Sequence, residues 1–251
     1  MTVHLALTPD ARWSCALPDL LAAARTTGFA SVGINADQSG SAASAFTAAG
    51  VPCHEVLALV IGDEEAAALS AAERLAECAA LVGAPWVLTV FAAPPRMSLI
   101  RQCARIIGAA GAAMAVEFSP LGPVSVISDG MAVVRAAQRD APAGLLIDSW
   151  HFCMGRSTWA DLATVPLDDI AYLQFTDALA PESADRLVRE TLHRRTLPGE
   201  GVLELDRFAG ILLDRGWGGV VSMEILSAAL RALPLESMLR RVYDAGASFW
   251  R

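Results

Sequence analysis

Four polar side chains interrupt otherwise apolar runs of the sequence, and each stands at or near the carboxyl end of its run. Glu117 lies in MAVEF, Asp148 ends GLLID, Gln174 lies in IAYLQF and Glu224 lies in GVVSMEI. Apolar runs of this kind are typical of parallel strands that are buried on both faces. Barrel enzymes built from such strands carry their catalytic residues at the carboxyl ends. We therefore expect the four side chains to converge at one mouth of a barrel.

The charges of these side chains indicate what they bind. Three carboxylates that converge in an apolar setting repel each other and lose their hydration, which is unfavourable without a compensating charge. A divalent cation supplies that charge, and three carboxylates with one amide oxygen suit Mg²⁺ or Mn²⁺ better than zinc. One acidic residue at a strand end is more often a helix cap or a surface charge, so the prediction depends on all four positions together.

A second cluster begins at Asp148 with the sequence DSWH. A turn after the strand would bring the imidazole of His151 back over the site, as a general acid or base or as a hydrogen-bond partner of the substrate. The alternative is a histidine that stabilises a tight loop. Trp150 is a candidate for the wall of the substrate pocket, although plain packing would explain it equally well.

The connection between the seventh apolar run and the next helical segment is unusually long and covers residues 176–203. Loops of that length are uncommon in compact domains and often form lids or binding loops. The turn residues of PGEG would hold Arg195 or His193 above the barrel mouth, and an arginine there suits a carboxylate or a phosphate. We expect a lid that brings Arg195 over the metal when substrate binds. A solvated, charged helix end is the alternative.

Eight short apolar runs alternate strictly with eight segments of helical period. The predicted strands are residues 3–7, 30–34, 55–61, 86–91, 114–118, 144–148, 170–175 and 219–225. This alternation predicts βαβ units and a parallel sheet, and eight repeats in about 250 residues match a (β/α)8 TIM barrel of the α/β class. A doubly wound sheet is the main alternative, but no GxGxxG motif follows an early strand. No Pro-, Gly- or Ser-rich linker divides the chain, so we predict one domain over residues 1–251.

The composition excludes several classes of protein. No lysine is present, which rules out Schiff-base chemistry, pyridoxal phosphate attachment and Walker-type phosphate binding. A net charge of −8 argues against a nucleic-acid partner, and no apolar run is long enough to span a membrane. The five cysteines, in a sequence without a visible export signal, predict free thiols in a reducing cytoplasm. The choice between a monomer and a homo-oligomer stays open.

Taken together, these motifs resemble the xylose-isomerase-like barrel superfamily, which includes sugar phosphate isomerases and epimerases, ketose 3-epimerases, hydroxypyruvate isomerases, 3-dehydroshikimate dehydratases and endonuclease IV. The resemblance implies one Mn²⁺, Mg²⁺ or Co²⁺ ion held by Glu117, Asp148, Gln174 and Glu224, with His151 close to it. Gln174 stands where the ketose epimerases have a histidine. This residue and the stretch LHRRTLPGEG are more similar to the dehydratase branch.

We expect a metal-dependent isomerase or epimerase that acts on a small polyhydroxylated carbonyl compound, a sugar or sugar phosphate. Glu117 and Glu224 would remove and return a proton next to the carbonyl, through an enediolate that the metal stabilises. His151 and Arg195 would orient or protonate substrate oxygens. A dehydratase that expels a β-hydroxyl is the first alternative. A barrel that binds a metabolite without turnover is the second, which the intact ligand set disfavours.

Overall fold

The computed structural model describes residues 2–183 and 186–250, with all side chains in these ranges except those of residues 38–40. Eight parallel strands close into a barrel surrounded by helices, which confirms the predicted (β/α)8 TIM barrel. The strands are β1 (His4–Leu7), β2 (Ser31–Asn35), β3 (Cys53–Ile61), β4 (Trp86–Phe91), β5 (Ala113–Glu117), β6 (Ala143–Asp148), β7 (Ile170–Phe175), β8 (Asp177–Ala178), β9 (Arg195–Thr196) and β10 (Val220–Met223). Strands β8 and β9 form a separate antiparallel pair after β7, and the other strands form the barrel.

The helices of the described residues follow the predicted alternation, with two additions. They are α1 (Leu17–Thr27), α2 (Ser39–Ala49), α3 (Glu65–Val82), α4 (Met97–Ala109), α5 (Ile127–Ala137), α6 (Ser149–Met154), α7 (Trp159–Thr164), α8 (Leu187–His193), α9 (Leu205–Asp214) and α10 (Leu235–Ala247). The sequence pattern did not predict α6, and α8 lies within the ADRLVRETLHRR stretch of the long connection. None of the described helices combines the length and hydrophobicity that crossing a membrane requires.

The order of the strands explains how residues far apart in sequence reach one place. Strands β5, β6, β7 and β10 are consecutive neighbours in the barrel. Asp148 pairs in register with Gln174, and Gln174 pairs with Ser222. Because all eight barrel strands are parallel, their carboxyl ends lie at the same mouth, where the loops that follow them can build a site.

Side chains fill the barrel below that mouth. Leu88, Ala115, Leu146 and Tyr172 form a buried cluster between the strands. A larger core lies between the outer faces of the strands and the surrounding helices. The interior of this barrel is therefore packed, as in other TIM barrels, and is not a pore.

All five cysteines are free thiols. Three of them, Cys53, Cys78 and Cys103, are buried, and the other two are partly exposed. The described residues thus contain no disulfide bond.

Candidate active site

The carboxyl ends of four neighbouring strands place the predicted side chains at one mouth of the barrel. Glu117 and Asp148 are the last residues of β5 and β6, Gln174 is the penultimate residue of β7, and Glu224 directly follows β10. Glu117, Asp148 and Gln174 are buried, whereas the Glu224 side chain is 15% exposed. The structure brings these four residues, hereafter the acidic cluster, to one place. Their roles as ligands and catalysts stay predictions.

Asp148 also begins helix α6. Its Oδ1 accepts a hydrogen bond from the backbone N–H of His151 at 2.9 Å, an N-cap interaction that satisfies a donor of the first helical turn. The cap folds the chain back over the site. One ligand atom from each of Glu117, Asp148 and His151 consequently lies within 4.8 Å of the others. The turn expected after this strand is therefore the start of a short helix.

The imidazole of His151 is held at both nitrogens. Nδ1 lies 3.1 Å from the Ser119 hydroxyl, and Nε2 lies 3.4 Å from Oε1 of Glu117. The Trp150 ring packs edge-on against the imidazole, with the ring centroids 5.2 Å apart. Burial lowers the pKa of His151 to about 4, so the imidazole is neutral near pH 7. A neutral imidazole donates one hydrogen bond and accepts another, which suits proton transfer to or from a substrate oxygen.

Arg195 lies inside the acidic cluster, and its side chain is 1% exposed. Nη1 donates to Oδ2 of Asp148 at 2.7 Å and to Oε2 of Glu224 at 3.0 Å. Nε and Nη2 donate to Thr191, and the guanidinium lies 5.4 Å from the centre of the Trp150 ring. The sequence suggests a side chain that arrives with the substrate. In the structure the guanidinium is already in the site, because buried carboxylates require a compensating charge.

The long connection that carries Arg195 is anchored by Asp177. The Asp177 carboxylate accepts hydrogen bonds from the backbone N–H groups of Gly199, Gly201 and Leu203, each at 3.0 Å. Gly199 has a φ angle of 85°, and a Cβ atom on Gly201 would lie 2.2 Å from Oδ1 of Asp177. Both positions therefore require glycine. These hydrogen bonds hold the PGEG turn in place. Strand β9, which carries Arg195, ends two residues before this turn.

Burial and charge give the three carboxylates different pKa values. Burial, reinforced by Glu224 and Asp148, raises the pKa of Glu117 well above its ordinary value. Burial also raises the pKa of Glu224 to about 8, despite the attraction of Arg195. Burial acts in the same direction on Asp148, but Arg195 holds the pKa of that group below its ordinary value. The cluster thus contains one carboxylate that stays ionised and two glutamates that take up protons readily.

Gln174 shows whether a metal ion fits among these residues. Both amide atoms of Gln174 are buried, and neither has a hydrogen-bond partner within the described ranges. A buried amide without a partner is unfavourable, and a cation beside Asp148, the register partner of Gln174, would satisfy its oxygen. Carboxylate and amide oxygens suit a hard divalent cation, and the nitrogen of His151 would add a ligand that transition metals accept. The residues present therefore fit a divalent metal.

Two connected cavities open beside the cluster, and Glu117 and Glu224 line both of them. The first lobe has a volume of about 410 Å³ and lies on the side of His151. The second lobe has a volume of about 400 Å³ and lies on the side of Arg12 and Asn35. Volumes of this size hold small metabolites. Glu117 and Glu224 therefore stand between two halves of one substrate-sized mouth, whereas Asp148 and Gln174 line neither half.

Two of the predicted substrate-binding residues line neither lobe. His193 is exposed at the outer rim, where its Nδ1 lies 2.8 Å from Nη2 of Arg231. Arg231 in turn donates to Asp10 at 2.7 Å, so this chain of contacts ties the long connection to the loop after β1. Trp150 is fully buried and packs behind His151. In this structure both residues contact neighbouring side chains, and neither lines the space that a substrate would occupy.

Comparison with known protein families identifies the family of this barrel. A family described as xylose isomerase-like TIM barrel matches residues 18–249 of the chain. The chain belongs to the xylose isomerase-like TIM barrel family. The match to that family therefore covers nearly the whole barrel.

Curated relatives of this xylose isomerase-like barrel are enzymes of two kinds. A 3-dehydroshikimate dehydratase of Pseudomonas putida is 32% identical over 98 residues, which are 39% of this chain and 15% of that protein. An inosose isomerase of Halalkalibacterium halodurans is 27% identical over 150 residues, which are 59% of this chain and 51% of that protein. The matches thus span about half or less of the length of these relatives.

Solved structures share the fold at low identity. The IOLI protein, solved with a bound zinc atom, superposes with a TM-score of 0.86 at 18% identity, covering 98% of this chain and 97% of that chain. A xylose isomerase-like TIM barrel/4-hydroxyphenylpyruvate dioxygenase fusion protein gives 0.84 at 20% identity, over 98% of this chain and 42% of that chain. A D-psicose 3-epimerase solved with D-fructose gives 0.72 at 13% identity, over 98% and 97%.

Sequence reasoning missed two polar residues of this xylose isomerase-like barrel. Ser119 fixes the orientation of the His151 ring, and only its position shortly after Glu117 could have suggested this. Glu55 is fully buried and accepts hydrogen bonds from Thr8 and Tyr172. In sequence Glu55 stands at the start of a predicted strand, where a polar residue usually faces solvent. The closed barrel instead turns it inward.

Proposed function

We propose that this protein is a divalent-metal-dependent isomerase or epimerase of a hydroxylated carbonyl compound, with sugars and sugar phosphates as the class that its family resemblance suggests. It acts by removing a proton from the carbon next to the carbonyl. The observation that carries this proposal is that Glu117 and Glu224, two carboxylates with raised pKa values, line both lobes of one mouth.

The acidic cluster would hold the ion. Glu117, Asp148, Gln174 and Glu224 supply oxygen ligands, and His151 supplies a nitrogen as an alternative ligand. When bound, a divalent ion polarises a carbonyl oxygen and stabilises the negative charge that develops as the neighbouring carbon loses its proton. The unpartnered amide of Gln174 and the zinc atom of the IOLI protein support a metal at this position.

Glu117 and Glu224 would exchange protons with the substrate carbon. A carboxylate with a raised pKa is a stronger base than an ordinary glutamate. One glutamate takes the proton, and the other returns one. Return to the opposite face of the same carbon gives an epimer, whereas return to the neighbouring carbon gives an isomer.

His151 and Arg195 would support this exchange from positions directly beside the two glutamates. The neutral imidazole of His151 can pass a proton between substrate oxygens while Ser119 holds its Nδ1. Arg195 keeps Asp148 ionised and fixes the direction of the Glu224 carboxylate by a hydrogen bond of 3.0 Å. Both roles follow from contacts that are present before a substrate binds, which is the preorganisation that proton transfer requires.

A dehydratase is the second candidate. The observation that favours it is the similarity to two 3-dehydroshikimate dehydratases, 32% identical over 98 residues and 30% identical over 102 residues. The same glutamate would remove the proton next to the carbonyl, but a hydroxyl on the following carbon would leave in place of reprotonation. Gln174 at the predicted ligand position also resembles that branch.

The experiment that tests the proposal uses metal-loaded protein in deuterated water. The substrates are ketoses, an inosose, simple α-hydroxy ketones and 3-dehydroshikimate, followed by proton NMR and ultraviolet absorption. We expect deuterium at the carbon next to the carbonyl in recovered or rearranged substrate. An aromatic chromophore formed from 3-dehydroshikimate alone would assign the second candidate. Neither deuterium nor chromophore with any compound would contradict both.

A matched pair of variants separates the proposed chemistry from the fold. Glu224→Gln keeps an oxygen ligand but removes the base, so it should abolish the exchange. Glu200→Gln changes an exposed glutamate of the PGEG turn that pairs with Arg241 at the surface, so the exchange should persist. Equal activity of the two variants would remove Glu224 from the proposed mechanism.

A further inference from the structure

The part of the first lobe that lies away from the acidic cluster and its polar neighbours is apolar. The side chains that line it there include Val60, Phe91, Leu121 and Val124. Its polar side chains lie on the side of the cluster and contact one another. The Ser119 hydroxyl, for example, lies against the His151 ring. A substrate that reaches from the cluster into this lobe therefore meets hydrocarbon walls.

The second lobe has the same character. Leu57, Ala58 and Leu88 line its wall, and Leu192 and Leu226 line both lobes. Outside the acidic cluster, its polar side chains among the described residues are Asp10, Arg12 and Asn35. Away from the acidic cluster and the polar side chains beside it, the walls of both halves of the mouth are thus mostly apolar.

The cations that line the two lobes are already paired. Arg12 donates to both carboxylate oxygens of Asp10, at 2.7 and 2.9 Å. Arg195 donates to Asp148 and Glu224. A phosphate group binds to arginines or backbone donors that are free to turn toward it. In this structure the guanidinium groups of Arg12 and Arg195 are therefore turned toward carboxylates and not toward a phosphate in the lobes.

The rim of the mouth carries exposed apolar side chains. Val60, Leu121 and Leu192 line the first lobe and are 53%, 42% and 37% exposed. Large exposed apolar side chains that cluster around one opening indicate a binding site for an apolar group. This rim is continuous with the cavity that Glu117 and Glu224 line. An apolar group that binds to the rim would therefore be part of the same molecule that occupies the cavity.

We propose that the substrate is a hydroxyl-poor hydroxy-carbonyl compound, whose portion away from the acidic cluster is an apolar ring or short hydrocarbon chain. This inference rests on the proposed function, and among hydroxylated carbonyl compounds it favours hydroxyl-poor ones over the sugars and sugar phosphates that the family resemblance suggests. The hydroxyl and carbonyl oxygens face the cluster, and the apolar portion fills one lobe against Leu192 and Leu226.

The volume of the lobes and the apolar character of their walls also support a substrate with an apolar portion. An apolar cavity of about 150 Å³ can hold benzene, so a lobe of about 400 Å³ has room for a six-membered ring with its substituents. Each hydroxyl buried against these walls without a partner would weaken binding by roughly tenfold. A fully hydroxylated ring would therefore bind less well here than the same ring without the additional hydroxyls.

The test compares two ligands with the same ring and the same reactive group. One is 2-hydroxycyclohexanone, and the other is an inosose, the fully hydroxylated ring ketone. Calorimetry with the Mn²⁺-loaded protein should give a Kd for 2-hydroxycyclohexanone at least tenfold lower than that for the inosose. Equal affinity, preference for the inosose, or binding of neither compound would overturn the proposal.

Two variants on helix α8 locate the binding site. Leu192→Ser makes the shared wall polar and should weaken binding of 2-hydroxycyclohexanone by roughly tenfold while affecting the inosose less. Val188→Ser changes an exposed apolar residue one turn earlier that lines neither lobe, so it serves as the control. Identical effects of the two changes would overturn the assignment. A dimer that Leu192→Ser converts to a monomer would instead assign the rim to a contact between two copies.

The binding measurements and the deuterium-incorporation experiment together distinguish the proposed function from the proposed substrate class. Preferential binding of 2-hydroxycyclohexanone, without deuterium incorporation into any carbonyl compound, would contradict the proposed function and leave the apolar substrate class supported. Deuterium incorporation into a well-bound inosose would support the proposed function and overturn the apolar class. Exchange confined to 2-hydroxycyclohexanone would support both.

Discussion

The guanidinium of Arg195 lies 2.7 Å from the carboxylate of Asp148, and both side chains are almost completely buried. Forty-seven residues separate them in sequence. The pair joins the end of strand β6 to strand β9 in the long connection, and Nη1 of Arg195 also reaches Glu224. One cation thus balances two carboxylates of the acidic cluster, which makes Arg195 part of the architecture of the site.

Removing this cation should destabilise the fold. We expect Arg195→Ala to lower the free energy of unfolding of metal-free protein by about 3–5 kcal/mol, because it leaves buried carboxylates unpaired. Added Mn²⁺ should recover part of the loss by supplying the missing charge. Urea denaturation with and without the ion measures both effects. The control is Arg189→Ala, which breaks an exposed pair with Glu182 and should cost about 1 kcal/mol or less.

The second prediction concerns Glu224 as the base. Glu224→Gln should lower kcat by a factor of about 10²–10⁴, the usual contribution of a general base, while some metal affinity remains. Steady-state kinetics on the substrate identified by deuterium exchange, with the bound metal measured on the same samples, provides the check. Activity within a few-fold of the unmodified protein would show that another group removes the proton.

Metal affinity should depend on pH in a defined direction. The pKa of Glu224 is raised to about 8, so below that pH a proton competes with the ion for this carboxylate. Affinity for Mn²⁺ should therefore rise between pH 6 and pH 8, by up to about tenfold per pH unit for each proton displaced, and protonation of Glu117 acts in the same direction. Calorimetry across this range tests the prediction. Glu224→Gln should make the profile less steep, and an affinity that falls with rising pH would contradict the assignment.

Ser119 should act as a positioning residue for His151. Ser119→Ala removes the hydroxyl that lies 3.1 Å from Nδ1, so the imidazole loses its preferred tautomer and orientation. We expect kcat to fall about tenfold with little change in metal affinity, and Ser119→Thr to restore most of it. Nitrogen NMR of His151 should show a change of tautomer in the alanine variant alone. An unchanged tautomer and unchanged kcat would reduce Ser119 to a loop contact.

The sequence by itself determined the barrel and the edge at which its polar side chains meet. Four polar residues stand at or near the carboxyl ends of apolar runs, namely Glu117, Asp148, Gln174 and Glu224. The strands found in the structure begin and end close to the predicted positions. This works because both signals are local. A buried parallel strand must be apolar along its length, and the carboxyl ends of parallel strands share one side of the sheet.

Only the tertiary structure decided which side chains pair with each other at that mouth of the barrel. It placed Arg195 among the carboxylates and not above them, set Ser119 against His151, and left His193 and Trp150 outside the lobes. The division of the mouth into two apolar lobes likewise depends on loops from several strands. Periodicity specifies which face of an element is buried, but contacts between side chains far apart in sequence depend on how the closed barrel and its long connection pack in three dimensions.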